Sequence, residues 1–190
     1  MSSAPIVKEL DKVGYAQLEL NQVAFRRDGR IEAQCPLAEE IEYIENGMVL
    51  VVDPFDRVIR MPVEGGSMPP EMESPVNHGP LALHYSAEHM YDNRANALKD
   101  FKLEANSFLP RLGYLSTGDK YTTNAVCHAE ENDEILFNNI KNGARYFAYP
   151  YYNGYHLLVP EEVGAEGAFA MAIRATTMPD GQKAVMFMAL

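Results

Sequence analysis

Ala168-Phe169-Ala170-Met171-Ala172-Ile173-Arg174-Ala175-Thr176-Thr177-Met178-Pro179-Asp180-Gly181-Gln182-Lys183-Ala184-Val185-Met186-Phe187-Met188-Ala189-Leu190 is the stretch that decides the fold. Two apolar runs flank a five-residue turn signal. Pro179 presets φ at the second turn position, Asp180 is tolerated at the third, and Gly181 accepts the left-handed residue of a bulged turn. The stretch therefore predicts a hairpin pairing 168–177 with 183–190. Successive side chains alternate across a strand, so Phe169, Met171 and Ile173 share one face and Ala168, Ala170, Ala172 and Arg174 the other. In the return strand Val185 and Phe187 oppose Met186, Met188 and Leu190. Both faces are fairly apolar, which predicts a hairpin buried on two sides, within a sandwich or barrel or against another subunit.

Working outward, the same grammar recurs upstream. Arg145-Tyr146-Phe147-Ala148-Tyr149 and Tyr155-His156-Leu157-Leu158-Val159 flank Asn153-Gly154, a pair that tolerates the positive φ of tight hairpin turns. Met48-Val49-Leu50-Val51-Val52 and Arg57-Val58-Ile59-Arg60-Met61 flank Asp53-Pro54-Phe55-Asp56 and read as a further hairpin. Strand character is also predicted for 30–33, 81–85, 110–115 and 120–126. Short helical turns are predicted at 36–41, where proline opens an acidic stretch, at 86–89 behind Ser86, and over 92–101. Glu130-Glu131-Asn132-Asp133-Glu134 reads as a solvated acidic loop. Between Pro62 and Pro80 lie five prolines and three glycines, a composition that disfavours regular structure. The expected organisation is an N-terminal arm and hairpin region over 1–61, a Pro/Gly-rich loop or linker over 62–80, and a β-rich domain over 81–190. The fold class is mainly β, sandwich or barrel-like, with one or two short helices and long loops. No repeat at a fixed period suggests a solenoid or propeller.

Composition bounds the function. The chain has 190 residues, 47% of them hydrophobic, with eleven Tyr and eight Phe, enough for a real core. Its net charge of -11, from 27 acidic and 16 basic residues, argues against docking on a phosphate backbone, which needs clustered Lys and Arg. Neither a secretory signal nor an apolar run long enough to span a bilayer is visible, so folding in the cytoplasm is expected and a membrane partner is not. Cys35 and Cys127 form no C-x-x-C pair and read as reduced thiols.

The chemistry-bearing motifs are sparse. Of five histidines only His84 and His89 are near neighbours, at a spacing unlike that of ligand pairs; a metal site from His84, Glu88, His89 and a distant His128 is the only one that can be drawn, and hydrogen-bonded structural histidines are the plainer reading. Gly65-Gly66-Ser67-Met68-Pro69 lacks the context of a nucleophile elbow, and Gly164-Ala165-Glu166-Gly167 that of a phosphate loop. Cys127 and His128 are adjacent, hence on opposite faces of a strand, which favours a structural thiol. No catalytic, cofactor or metal residue is expected. The feature most open to a binding role is the aromatic cluster around Tyr146, Phe147, Tyr149, Tyr151, Tyr152 and Tyr155. It can serve hairpin packing, a protein interface or a glycan platform, with the five tyrosines as the candidate interface.

Three stretches carry a resemblance: Glu45-Asn46-Gly47-Met48-Val49-Leu50-Val51-Val52-Asp53; Met90-Tyr91-Asp92 through Leu98-Lys99-Asp100-Phe101 to Gly118-Asp119-Lys120-Tyr121-Thr122-Thr123-Asn124-Ala125-Val126; and Thr176-Thr177-Met178-Pro179-Asp180-Gly181-Gln182-Lys183-Ala184-Val185. Together they resemble the small head-associated structural proteins, capsid decoration or cement proteins, of tailed bacteriophages that infect low-GC Gram-positive bacteria. The likeness covers 45–190. It implies a non-enzymatic, β-rich protein on the outer surface of the virion, docked on the major capsid protein as a homo-oligomer, dimer or trimer, with no catalytic residues to transfer. Residues 1–44 lie outside it, and the N-terminal segment and the 62–80 loop, which fit a compact core poorly, are the expected capsid-facing arms. A head-fibre base or glycan-binding spike using the tyrosine-rich hairpin is the alternative, and a metal-dependent hydrolase a remote third.

Overall fold

The computed structural model describes residues 6–24, 33–62, 80–86 and 98–190. The chain is mainly β. The strands are β1 (Lys8–Glu9), β2 (Tyr43–Glu45), β3 (Val49–Asp53), β4 (Val58–Arg60), β5 (Leu81–His84), β6 (Lys102–Glu104), β7 (Leu112–Gly113), β8 (Lys120–Thr123), β9 (Val126–His128), β10 (Tyr146–Pro150), β11 (His156–Pro160), β12 (Ala170–Thr177) and β13 (Lys183–Ala189). An α-helix, α1 (Asp133–Lys141), lies between β9 and β10.

Seven strands form the principal sheet in the order β1-β9-β11-β10-β12-β13-β8, and four form a second sheet, β4-β3-β5-β7. The principal sheet is rolled. Laid flat it would put β8 and β9 five strand spacings, roughly 24 Å, apart. Yet only Asn124 and Ala125 join them, a connection that spans at most about 11 Å. A hydrogen bond of 3.0 Å from the Tyr121 hydroxyl on β8 to His156 on β11 crosses the interior of the roll. The 120–126 strand of the sequence reading is accordingly two strands. Asn124 leaves the ladder and its Oδ1 accepts the Gln17 N–H at 2.6 Å, while Thr123 Oγ1 accepts the Ala125 N–H at 3.0 Å.

The C-terminal hairpin forms as predicted. Met178 N–H donates to the Gln182 carbonyl, Gly181 N–H to that of Met178, and Gly181 takes φ 87°. Its inner face, with Ala170, Ala172, Ala175, Val185 and Phe187, is core. Its other face is covered only in part: Met171 packs against the second core beside Phe147, while Met186 and Met188 stay half-buried further along, so the two-sided burial expected here is met at one end. A bulge between Ala172 and Arg174 resets the alternation. It is the hairpin of β10 and β11 that is covered on both faces. Tyr146, Ala148 and Leu158 face the interior of the roll, and Phe147, Tyr149 and Leu157 pack with Leu50, Val52 and Ile59 of the second sheet.

Helix α1 corrects the solvated loop expected at 130–134. The Asn132 side chain caps it by accepting the Ile135 N–H at 2.9 Å, Asp133 and Glu134 occupy the positive end of the dipole, and Lys141 the negative end. Leu136, Phe137 and Ile140, at helical spacing, pack against the small alanines of β12 and close one mouth of the roll.

Other short elements also differ from expectation. Residues 36–41 are not helical, because Leu37 bridges Ile59 in parallel and only Ile41 N–H returns to the Ala38 carbonyl. Leu98–Asp100 is a single 3-10 turn, and the predicted helices at 86–89 and 92–97 lie outside the described residues apart from Ser86. The predicted 30–33 strand is described only at Ala33, which bridges Leu112, and the 110–115 strand shortens to β7. The β3–β4 hairpin and β5 stand where the sequence put them.

The two flanks of the 62–80 segment share their sheets, since β2 pairs with β6 and β3 with β5. The N-terminal stretch is likewise not a loose arm. Leu10, Ala16, Leu18, Leu20 and Val23 are buried, β1 pairs with β9, and Leu18 bridges Thr123, so residues 6–23 run along the seam of the roll and close it.

Candidate functional site

Each described histidine is fully buried and held by its neighbours. His84 Nδ1 lies 2.7 Å from the Glu45 carbonyl and Nε2 2.7 Å from Ser86 Oγ, which in turn accepts the Arg111 N–H at 2.8 Å. His156 repeats the pattern, with Nδ1 3.0 Å from the Ala125 carbonyl and Nε2 bonded to the Tyr121 hydroxyl. A carbonyl can only accept, so in both rings Nδ1 carries the proton and Nε2 accepts from a hydroxyl, which is the neutral tautomer. Burial pulls His84 down to about 4 and His156 to about 3, against the smaller opposing pull of those carbonyls. His128 Nε2 sits 2.9 Å from Asp133 Oδ1, and Asp133 Oδ2 accepts the Asp11 N–H, so this pair ties β9, the start of α1 and the N-terminal strap together.

His84 is thus committed at both nitrogens, and Glu88 and His89 lie outside the described residues. Among the described residues no group of three or more His, Cys, Asp or Glu side chains is placed to hold a metal ion. Cys35 and Cys127 are free thiols. Cys127 packs in the second core while burial, reinforced by Glu9, pushes its thiol up to about 12, the opposite of an activated nucleophile. Gly65-Gly66-Ser67-Met68-Pro69 lies outside the described residues, and Gly164 follows a 3-10 turn, Glu161–Val163, on the surface.

The tyrosine hairpin divides. Tyr146, Tyr149 and Tyr155 are buried. Tyr146 donates to Glu130 at 2.5 Å and accepts from Asn139 of α1; Tyr149 donates to the Gly164 carbonyl at 3.0 Å. Tyr155 donates to Glu45 Oε2 at 2.8 Å, and burial followed by that carboxylate raises its hydroxyl well above the usual phenol range. Only the turn reaches the surface. Tyr152 is 45% exposed, and its ring lies 4.4 Å from that of half-buried Tyr151. The turn is Tyr151 to Gly154, with Gly154 alone at positive φ, so Asn153 supplies a side-chain bond to the Tyr155 N–H rather than the left-handed backbone expected of it.

Glu45 marks a polar junction that the sequence did not announce. Its Oε2 also accepts the Ala16 N–H, and beside it Thr123 Oγ1 donates to the Gln17 carbonyl at 2.7 Å. Gly47 sits against that threonine at φ +83°, where a Cβ would fall 2.1 Å from Oγ1. The junction pins the strap, the second sheet and the principal sheet at one point. Its chemistry is cohesive and enclosed, with the Asn124 Nδ2 amide buried beside it without a partner among the described residues.

Apolar side chains also reach the surface. On β12 and β13 Met171 pairs with Met188, and Met186 lies two residues along the same face, with Ile173 in the bulge and exposed Arg174 and Lys120 as direct cross-strand neighbours. At the β3–β4 turn Phe55 is 89% exposed. An aromatic between two aspartates, where turn chemistry favours polar residues, is the signal that could have singled it out. At the other end of that sheet Gln34, Ser86, Phe101, Phe108, Leu109 and Arg111 line a pocket of about 430 Å³.

Comparison with family models, with curated proteins and with solved structures gives no match to this chain.

Proposed function

We propose that this chain is a non-enzymatic virion structural protein that docks on the major capsid protein of a tailed-phage head and stabilises the shell. The observation that carries the reading is the outer face of the C-terminal hairpin, a row of half-buried methionines on the most strongly specified β-element of the chain. Methionine adapts to a partner surface, and a sheet held rigid from behind by core packing presents it at low entropic cost. Lys120 and Arg174 give this face a basic rim on an otherwise acidic chain, which helps register the protein on a shell of repeated sites. Burial of residues 6–23 argues against that strap as a docking arm, whereas 63–79 of the other expected arm lies outside the described residues, so the proposal places docking on the sheet face.

The test is binding to preassembled heads that lack the protein. Met186→Asp with Met188→Asp is expected to abolish occupancy while circular dichroism and thermal unfolding stay those of a folded chain. Full occupancy by the double variant overturns the assignment, as does absence of the protein from purified virions by mass spectrometry. A second reading, a glycan-binding spike, is favoured by the close pairing of the exposed Tyr152 ring with half-buried Tyr151. Glycan-array binding lost on Tyr152→Ala would select it instead.

A further inference from the structure

We infer that Lys12 and Asn153 join in an intramolecular isopeptide bond, formed with Glu9 as proton carrier, that staples the N-terminal strap to the β10–β11 turn. One carboxylate gathers both partners. Lys12 Nζ lies 2.6 Å from Glu9 Oε2, and Asn153 Nδ2 donates to Glu9 Oε1 at 3.3 Å, across 144 residues of sequence. Strand register brings them together. Glu9 of β1 stands opposite Cys127 of β9, and Cys127 opposite Leu157 of β11, which packs with Tyr155 in the second core. Lys12 follows β1 and comes to rest over the Tyr155 ring, 4.6 Å from its centroid.

The surroundings suit attack by the amine on the amide. The Lys12 side chain keeps 10% of its surface in water, against 29% or more for Lys99, Lys102 and Lys183 in their own ion pairs. An amine must shed its proton and its water before it can act as a nucleophile, and Glu9 is placed to take the proton. Asn153 is held for attack. Its Oδ1 accepts the Tyr155 N–H at 3.0 Å, a donor aimed where negative charge develops as Cγ becomes tetrahedral. Its Nδ2 also lies 3.8 Å from Cys127 Sγ, so the amide is fixed on both sides.

The step balances without a further reactant. Glu9 removes a proton from the Lys12 ammonium, and the freed lone pair of Nζ attacks Asn153 Cγ while the carbonyl electron pair moves onto Oδ1. Glu9 then hands its proton to Nδ2 and takes the second proton from Nζ. The pair on Oδ1 returns, the Cγ–Nδ2 bond breaks, and ammonia leaves carrying the last proton as ammonium. One C–N bond forms and one breaks, and nothing is oxidised or reduced. The product closes a loop of about 140 residues and makes the seam of the roll covalent, so the strap cannot leave it even when the chain unfolds.

Mass spectrometry of the purified full chain tests this. The wild type is expected to be lighter than its sequence by one ammonia, and its tryptic digest to hold a branched peptide joining Lys12 to Asn153. Asn153-Gly154 could lose the same mass by closing a succinimide, so the partner of Asn153 decides. Lys12→Arg, which keeps a cation beside Glu9, should restore the full mass, run behind the wild type in denaturing electrophoresis and melt roughly 10 °C lower or more. Glu9→Gln, sampled over time after refolding, should form the bond at least about 100-fold more slowly. A wild type of full mass, an ammonia loss that survives Lys12→Arg, or a Glu9→Gln chain that cross-links as fast as the wild type each overturns the proposal. Should a variant fail to fold, the branched peptide of the wild type decides alone.

Discussion

Lowering the pH from 7 to 5 should cost this fold about 4 kcal/mol, and the cost should come from two histidines. His84 and His156 are neutral in the fold, with pKa values of about 4 and about 3, whereas in the unfolded chain they titrate near about 6.5. The unfolded state therefore binds protons first. Stability from these groups is fully present above the unfolded value and is lost as pH falls below it, levelling only when each folded pKa is reached. At pH 5 each ring forgoes about 1.5 pH units at about 1.4 kcal/mol per unit, or about 2 kcal/mol, and the two together about 4 kcal/mol. That is a large part of the roughly 5–15 kcal/mol that holds a domain folded.

The surroundings offer no relief to an added proton. His156 faces the Tyr121 hydroxyl, the Ala125 carbonyl and the rings of Phe169 and Phe187; His84 faces Ser86, the Glu45 carbonyl and Phe101. Asp53 and Asp180, both held below the usual carboxylate range, lose their contributions only at lower pH. Urea unfolding at pH 7.0, 6.0 and 5.0 measures the effect, with a limiting slope of about 2.7 kcal/mol per pH unit for two protons. A loss below about 1 kcal/mol between pH 7 and 5 would refute the reasoning. So would an unchanged slope in a folded His84→Gln, His156→Gln chain.

Two further perturbations probe the frame. Gly47→Ala should destabilise by about 3–5 kcal/mol, combining left-handed strain with the clash on Thr123, whereas Gly118→Ala, at φ +91° with open space around it, should cost only about 1–2 kcal/mol; paired urea titrations read the difference. Asn132→Ala should remove the cap of α1 at about 1 kcal/mol, seen as a fall in the thermal midpoint without loss of the native near-ultraviolet signal.

Hairpins were legible because their information is local. Pro179, Asp180 and Gly181 specify the turn that forms, and β3, β4, β10 and β11 follow the same logic. Helix α1 was equally local and was missed by reading Glu130 to Glu134 as charge alone, although Asn132, Asp133 and Glu134 followed by Leu136, Phe137 and Ile140 carry a cap, a dipole match and an apolar stripe. The N-terminal strap could not be read in this way. Its order comes from partners more than a hundred residues away: Gln17 with Asn124 and Thr123, Leu10 with Val126, Asp11 with Asp133. Tyrosine burial was illegible for the same reason, since Tyr155 is turned inward by Glu45, 110 residues distant.

The acid-sensitive histidines and the outward surfaces belong to one design. His156 spans the roll to Tyr121, and His84 anchors the end of β5 beside the Glu45 junction, so each neutral ring fixes strands that no short connection holds together. A buried polar contact of this kind contributes little net energy over an apolar one but admits a single register. Register matters here because the methionines of β12 and β13 and the Phe55 turn lie on sheets joined through that junction. A slip of one residue in β13 would turn Met186 and Met188 inward and Val185 and Phe187 outward, removing the outer apolar face and the core together. The buried histidines thus hold the strands that present the proposed docking face, and protonating them should release that face as it loosens the core.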